Sequence, residues 1–128
     1  MLQKDIAQQK KEDVFSAYEE AIARLGEEAK YVNKSVLLDE AMKGGAPRFY
    51  VSYERAARII SLFRKGVIPS FRQNKKLKMY RDIYALFISK TDGNISSLRS
   101  VLEMRAPSFY INKRRFLSLV HSSLKNKR

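Results

Sequence analysis

A chain of 128 residues, 45% hydrophobic and 11% aromatic, is long enough for one domain or two very small ones, and too apolar for wholesale disorder. It has no cysteine, one histidine (His121) and no apolar run near the ~20 residues of a membrane span. Disulfides, thiolate chemistry, multi-histidine metal sites and a membrane helix are therefore excluded, and Met1-Leu2-Gln3-Lys4-Asp5 predicts no secretory signal. Twenty-six Lys and Arg against thirteen Asp and Glu give a net charge of +13, which a polyanionic partner ordinarily compensates.

Residues 1–12, rich in Gln and Lys, are expected to be a frayed extension of the first helix or a mobile arm. Val14, Ala17, Tyr18, Ala21, Ile22 and Leu25 recur at helical spacing, and Gly26 suits the stop. Asn33 then caps a second helix carrying Leu37, Leu38, Ala41 and Met42, with Val32 and Leu37 spaced as a hydrophobic staple. Gly44-Gly45 ends it, and Pro47 fits the first turn of a new helical element, where its missing N–H is not needed. Ser52 caps a third helix with Ala56, Ile59, Ile60 and Phe63 inward, closed by Gly66. Val67-Ile68-Pro69 is the expected junction before a stripe of Leu77, Tyr80, Tyr84 and Phe87. After the turn Thr91-Asp92-Gly93, Asn94 caps a helix bearing Ile95, Leu98, Val101 and Leu102, Pro107 restarts the chain, and Phe116, Leu119, Val120 and Leu124 face inward along the last helix.

The second half repeats the first. Ala46-Pro47-Arg48-Phe49-Tyr50-Val51 recurs sixty residues on as Ala106-Pro107-Ser108-Phe109-Tyr110-Ile111, Arg55 matches Arg115, and Leu38 and Met42 match Leu98 and Leu102. With a two-residue slip, Phe15, Tyr18, Ile22 and Leu25 meet Leu77, Tyr80, Tyr84 and Phe87. The expected class is all-α: two tandem helical repeats of helix-turn-helix type, residues 1–66 and 67–128. Phe49 and Phe109 should anchor the core of each repeat.

The segment from Asn94 to Tyr110 resembles the DNA-reading region of tetracycline-repressor-type regulators, in which a short helix, a turn and a short recognition helix ending in Tyr precede a helix with a basic start. Tyr110 would be that tyrosine and Lys113 the first residue of the next helix. The resemblance implies duplex DNA binding, with a helix entering the major groove; it does not reach the family's ligand-binding domain and lends no support to small-molecule induction.

Charge points the same way. Residues 1–40 hold nine acids and six bases, whereas residues 41–128 hold twenty bases and four acids. Lys113-Arg114-Arg115 opens a helix with no acid nearby in sequence, where bases oppose the helix dipole, so these three read as phosphate contacts. Lys75, Lys76 and Lys78 are either further contacts or a solvated face. Arg55 and Arg115 either bind phosphate or pair with carboxylates. Arg48 and Ser108 occupy turns suited to a base edge, and Tyr50 and Tyr110 can bury a ring while offering a hydroxyl to phosphate. No catalytic constellation, cofactor motif or metal set emerges. Glu19-Glu20, Glu27-Glu28 and Asp39-Glu40 diverge by about 100° on a helix, Gly44-Gly45 lacks a phosphate-loop continuation, and His121 has no second ligand and only a sequence-adjacent Ser122.

The leading expectation is thus a small cytoplasmic or nucleoid-associated DNA-binding protein, regulatory or architectural. An assembly module or homo-oligomer, in which the acidic N-terminal face of one subunit meets the basic C-terminal face of another, is the alternative from a different class. RNA binding is the third, and stacking of the Phe-Tyr pairs on bases would require Phe49 and Phe109 to be exposed.

Overall fold

In a computed structural model that describes residues 5–126, each helix begins where a short polar side chain or an unpaired turn lets it. The Gln8 amide donates to the Asp5 carboxylate (2.7 Å) at the start of α1 (Ile6–Leu25). The Val36 amide donates to Asn33 Oδ1 (2.9 Å) at the start of α2 (Lys34–Met42), and the Arg55 amide to Ser52 Oγ (3.2 Å) at the start of α3 (Tyr53–Arg64). Then come α4 (Asn74–Thr91), a 3-10 turn (Ile95–Ser97) leading into α5 (Leu98–Leu102), and α6 (Lys113–Asn126). Asn112 caps α6 by accepting the Arg115 amide at 2.8 Å, sixty residues after the equivalent cap at Ser52. The class is all-α: among the described residues no strand forms, and the only bridge is an isolated antiparallel pair, Ala46 with Ala106.

Residues 6–12 continue the first helix, one of the two forms expected for this segment, and residues 1–4 lie outside the described residues. Several other local expectations are corrected. The buried residues of α1 are Val14, Phe15 and Ala21, while Ile22 is 39% exposed. Along α4, Met79 and Ile83 join Tyr80 and Phe87 inside, and Leu77 and Tyr84 are only half-buried. Leu124 is exposed on α6.

Pro47 and Pro107 open no helix, because residues 43–52 and 103–112 are non-helical throughout. The reason is local. Ala46 and Ala106 exchange backbone hydrogen bonds (2.9 and 2.8 Å), which spends the groups a helix would use. Tyr110 has φ of 57°, in the left-handed region. The short recognition helix ending in Tyr110, which the tetracycline-repressor resemblance implies, is not formed.

The packing units also differ from the sequence repeats. One unit comprises the residues up to Ala46 together with those from Ala106 on, and the other is Pro47–Arg105. In the first, α1 packs on α2 and α6, and α2 on α6. In the second, α3 packs on α4 and α5, and α4 on α5. The two copies therefore exchange their last helices, and the expected boundary at residue 66 falls inside the second unit, on the α3–α4 connection. Phe49 is fully buried in the second unit, its amide donating to the Leu102 carbonyl at 3.0 Å. Phe109 is 2% exposed in the first, its ring edge-on to Phe116 with centroids 5.6 Å apart. Each copy's Phe thus anchors the bundle that contains the other copy's short helix.

Gly45 shows how tight the crossing is. Its φ is +77°, and a Cβ there would lie 2.5 Å from the Ala106 carbonyl oxygen. Gly66 has a similar φ of +78° but open space around it. Gly66→Ala is expected to cost about 1 kcal/mol, the conformational penalty alone. Gly45→Ala should cost clearly more, about 2–4 kcal/mol, because backbone must also move. Paired thermal or urea unfolding of the two variants measures the difference. Phe49→Ala and Phe109→Ala are each expected to lose ~3–5 kcal/mol in the same assay.

Candidate nucleic-acid interface

The exchange of helices redistributes charge. The unit built from the two ends of the chain holds thirteen bases and nine acids, a net of +4. Residues 47–105 hold thirteen bases and four acids, a net of +9. The strongest concentration is therefore central in the chain rather than C-terminal.

Within that unit, α3 turns Ala56, Ile59 and Ile60 inward, which leaves Arg55 and Arg58 exposed three residues apart on one side. Both approach Tyr80 on α4. The Tyr80 ring is 2% exposed and stacks on Phe71, with centroids 5.3 Å apart and planes at 21°. Burial raises the Tyr80 phenol above its ordinary pKa, against the opposing charge of Arg55, its hydrogen bond to Tyr80, and the charge of Arg58. Lys76 lies one turn before Tyr80, and Lys75 and Arg72 flank it; all three are exposed. No acidic residue occupies the first turn of α4, and Gln73 provides no side-chain cap. Like charges clustered at that end repel one another and oppose the helix dipole, so the arrangement does nothing for folding.

The other bases of this unit are more occupied. Lys78 pairs with Asp82 at 3.6 Å. Arg64 donates to the Gly93 carbonyl and lies over the Phe87 ring, and Arg99 lies 4.4 Å from the Tyr53 ring centroid. Arg48 Nε donates to the carbonyl of its neighbour Phe49 at 3.0 Å, and Tyr50 is half-buried.

The remaining candidates fall in the other unit. Ser108 Oγ accepts the Tyr110 amide at 2.8 Å and Tyr110 is buried, so this pair shapes a turn. Lys113 donates to Ser35 Oγ and pairs with Asp39, both at 2.8 Å. The acid missing near Lys113 in sequence is supplied by α2. Arg114 stays exposed along an open groove of about 460 Å³ with Ser118, His121, Ser122 and Lys125, and Arg115 borders another with Asp5, Gln8, Lys10 and Lys11. Glu40 is held below the usual carboxylate range by hydrogen bonds from Lys43 and Arg24. Acidic and basic groups that the assembly alternative would match between subunits thus meet partly within one chain.

Of the bases exposed around Tyr80, the sequence marks Arg55, Lys75 and Lys76 as candidate contacts, and Arg58 and Arg72 are added by their position. The available signal was the three-residue spacing of Arg55 and Arg58 beside the Ala56–Ile60 stripe. The chain matches no protein-family model, no curated protein and no solved structure.

Two outcomes follow from the geometry. A raised pKa means that the folded state holds the Tyr80 proton more tightly than the unfolded chain does. Its stabilisation is full below the ordinary tyrosine value and is lost as pH rises through the folded value. Tyr80→Phe removes that loss, so its thermal midpoint should fall less than that of the unaltered protein between about pH 9 and 11. Lys113→Ala, which breaks a half-exposed pair, should cost no more than ~1 kcal/mol.

Proposed function

We propose that this protein binds nucleic acid through backbone phosphates, with duplex DNA the preferred form and an architectural rather than a sequence-reading role. The observation that carries the reading is the +9 balance of residues 47–105, with Arg55, Arg58, Arg72, Lys75 and Lys76 exposed around the Phe71–Tyr80 pair. Phosphate neutralisation releases condensed counterions and supplies affinity without reading sequence. Burial of Phe49 and Phe109 favours a duplex over a single strand, since those rings are not available to stack on bases. The non-helical course of residues 103–112 argues against base reading by a short helix there. Arg114 and Arg115 are secondary contacts in this reading, and Lys113, committed to Asp39, is not one.

Fluorescence anisotropy with a random-sequence duplex across a salt series tests it. Replacing Arg55, Arg58, Lys75 and Lys76 with Ala should weaken binding to all sequences alike and reduce the salt slope by roughly 0.9 per lost contact. Replacing Arg114 and Arg115 should have a smaller effect. Salt-insensitive binding, or none at all, by the unaltered protein would sink the reading.

A further inference from the structure

The connection between α3 and α4 carries two exposed aliphatic side chains, Val67 at 48% and Ile68 at 61%. They stand in the most basic stretch of the chain, where seven bases and no acid lie between Arg64 and Arg81. Solvent exposure of neighbouring β-branched residues is unfavourable, and here the backbone does not let them fold away. The Gly66 amide donates to the Phe63 carbonyl (3.0 Å) and the Val67 amide to the Leu62 carbonyl (2.9 Å), with Gly66 at φ +78°. That is the Schellman closure of a helix, which fixes the exit direction. Pro69 restricts the next bend. At the far end, the Phe71 ring is held on Tyr80.

We propose that residues 66–70 form a preorganised apolar wedge, and that Ile68, supported by Val67, inserts between base steps of a duplex and bends it. The inference rests on the duplex-binding reading above and adds what the loop does there. Charge complementarity selects the occupant: Lys65 precedes the tip in the chain and Arg72, Lys75 and Lys76 follow it, all exposed and free of any acidic neighbour in sequence. Proteins that kink DNA use aliphatic wedges of this kind flanked by bases, and bending recovers the cost of unstacking through additional contacts. A lipid surface fits less well. Anchoring at a bilayer interface favours exposed aromatic rings, and the loop's one aromatic, Phe71, is stacked on Tyr80.

The test uses the full chain and an end-labelled duplex whose energy transfer reports bending, with 2-aminopurine in a parallel duplex to report unstacking. The unaltered protein should raise both signals at saturation. The V67S/I68S double variant, altered only at exposed side chains, should keep its helix content and its salt slope. It should lose the bend and bind about tenfold more weakly, as expected for apolar surface no longer buried. I68F, which keeps an apolar wedge, should keep the bend. Binding without bending or unstacking by the unaltered protein overturns the wedge and leaves phosphate binding intact. So does an undiminished bend in the double variant. Failure to bind any duplex overturns both readings. Capture by phosphatidylserine vesicles that V67S/I68S abolishes, without duplex bending, assigns the tip to a lipid surface instead.

Discussion

Ala46 and Ala106 lie backbone to backbone, each donating its amide to the other's carbonyl, and both are essentially inaccessible to solvent. Gly45, whose missing Cβ faces the Ala106 carbonyl, continues the same constraint along the chain. Pairing there withdraws residues 43–52 and 103–112 from helix formation. Each becomes a ten-residue connector between helices, which reaches about 33 Å when extended. That reach exceeds the width of a helix, and it lets each copy's last helix complete the other copy's bundle.

The consequence for packing is a unit whose core joins opposite ends of the chain. Val14 and Val120 are both buried in it, and the Ser123 hydroxyl donates to the Lys11 carbonyl at 3.5 Å. Such contacts close a long loop before they stabilise anything, which slows folding relative to a bundle of sequence neighbours. Residues 47–105, in contrast, are continuous and could order first. The consequence for charge is equally direct. Because α6 joins the acidic N-terminal segment, its basic start is partly matched there by Asp39, and the largest imbalance is left on the central residues. A stretch that combines surplus charge with exposed aliphatic side chains gains nothing for folding from either, whereas Lys113 is matched by Asp39.

Much was legible in the sequence because it depends on nearest neighbours. Asn33, Ser52 and Asn94 cap as short polar side chains do, Asp92 and Gly93 adopt positive φ at the turn, and the stripe Ala56, Ile59, Ile60 is buried as its spacing requires. The all-α class follows from the same periodic pattern, and the burial of Phe49 and Phe109 from their large apolar side chains. The register inside α1 and α4 was less legible. Ile22 and Met79 are both apolar, and only the neighbouring helices decide that the first is exposed and the second buried.

What the sequence determined by itself was therefore the identity of the helices, their caps, the net charge and the equivalence of positions sixty residues apart. Which helix packs on which was decided by tertiary structure alone. Segments sixty residues apart carry similar apolar patterns, so periodicity alone cannot say which bundle each last helix joins. The arrangement that forms, with Ala46 paired to Ala106, brings Lys113 to Asp39 and leaves residues 47–105 with a net charge of +9.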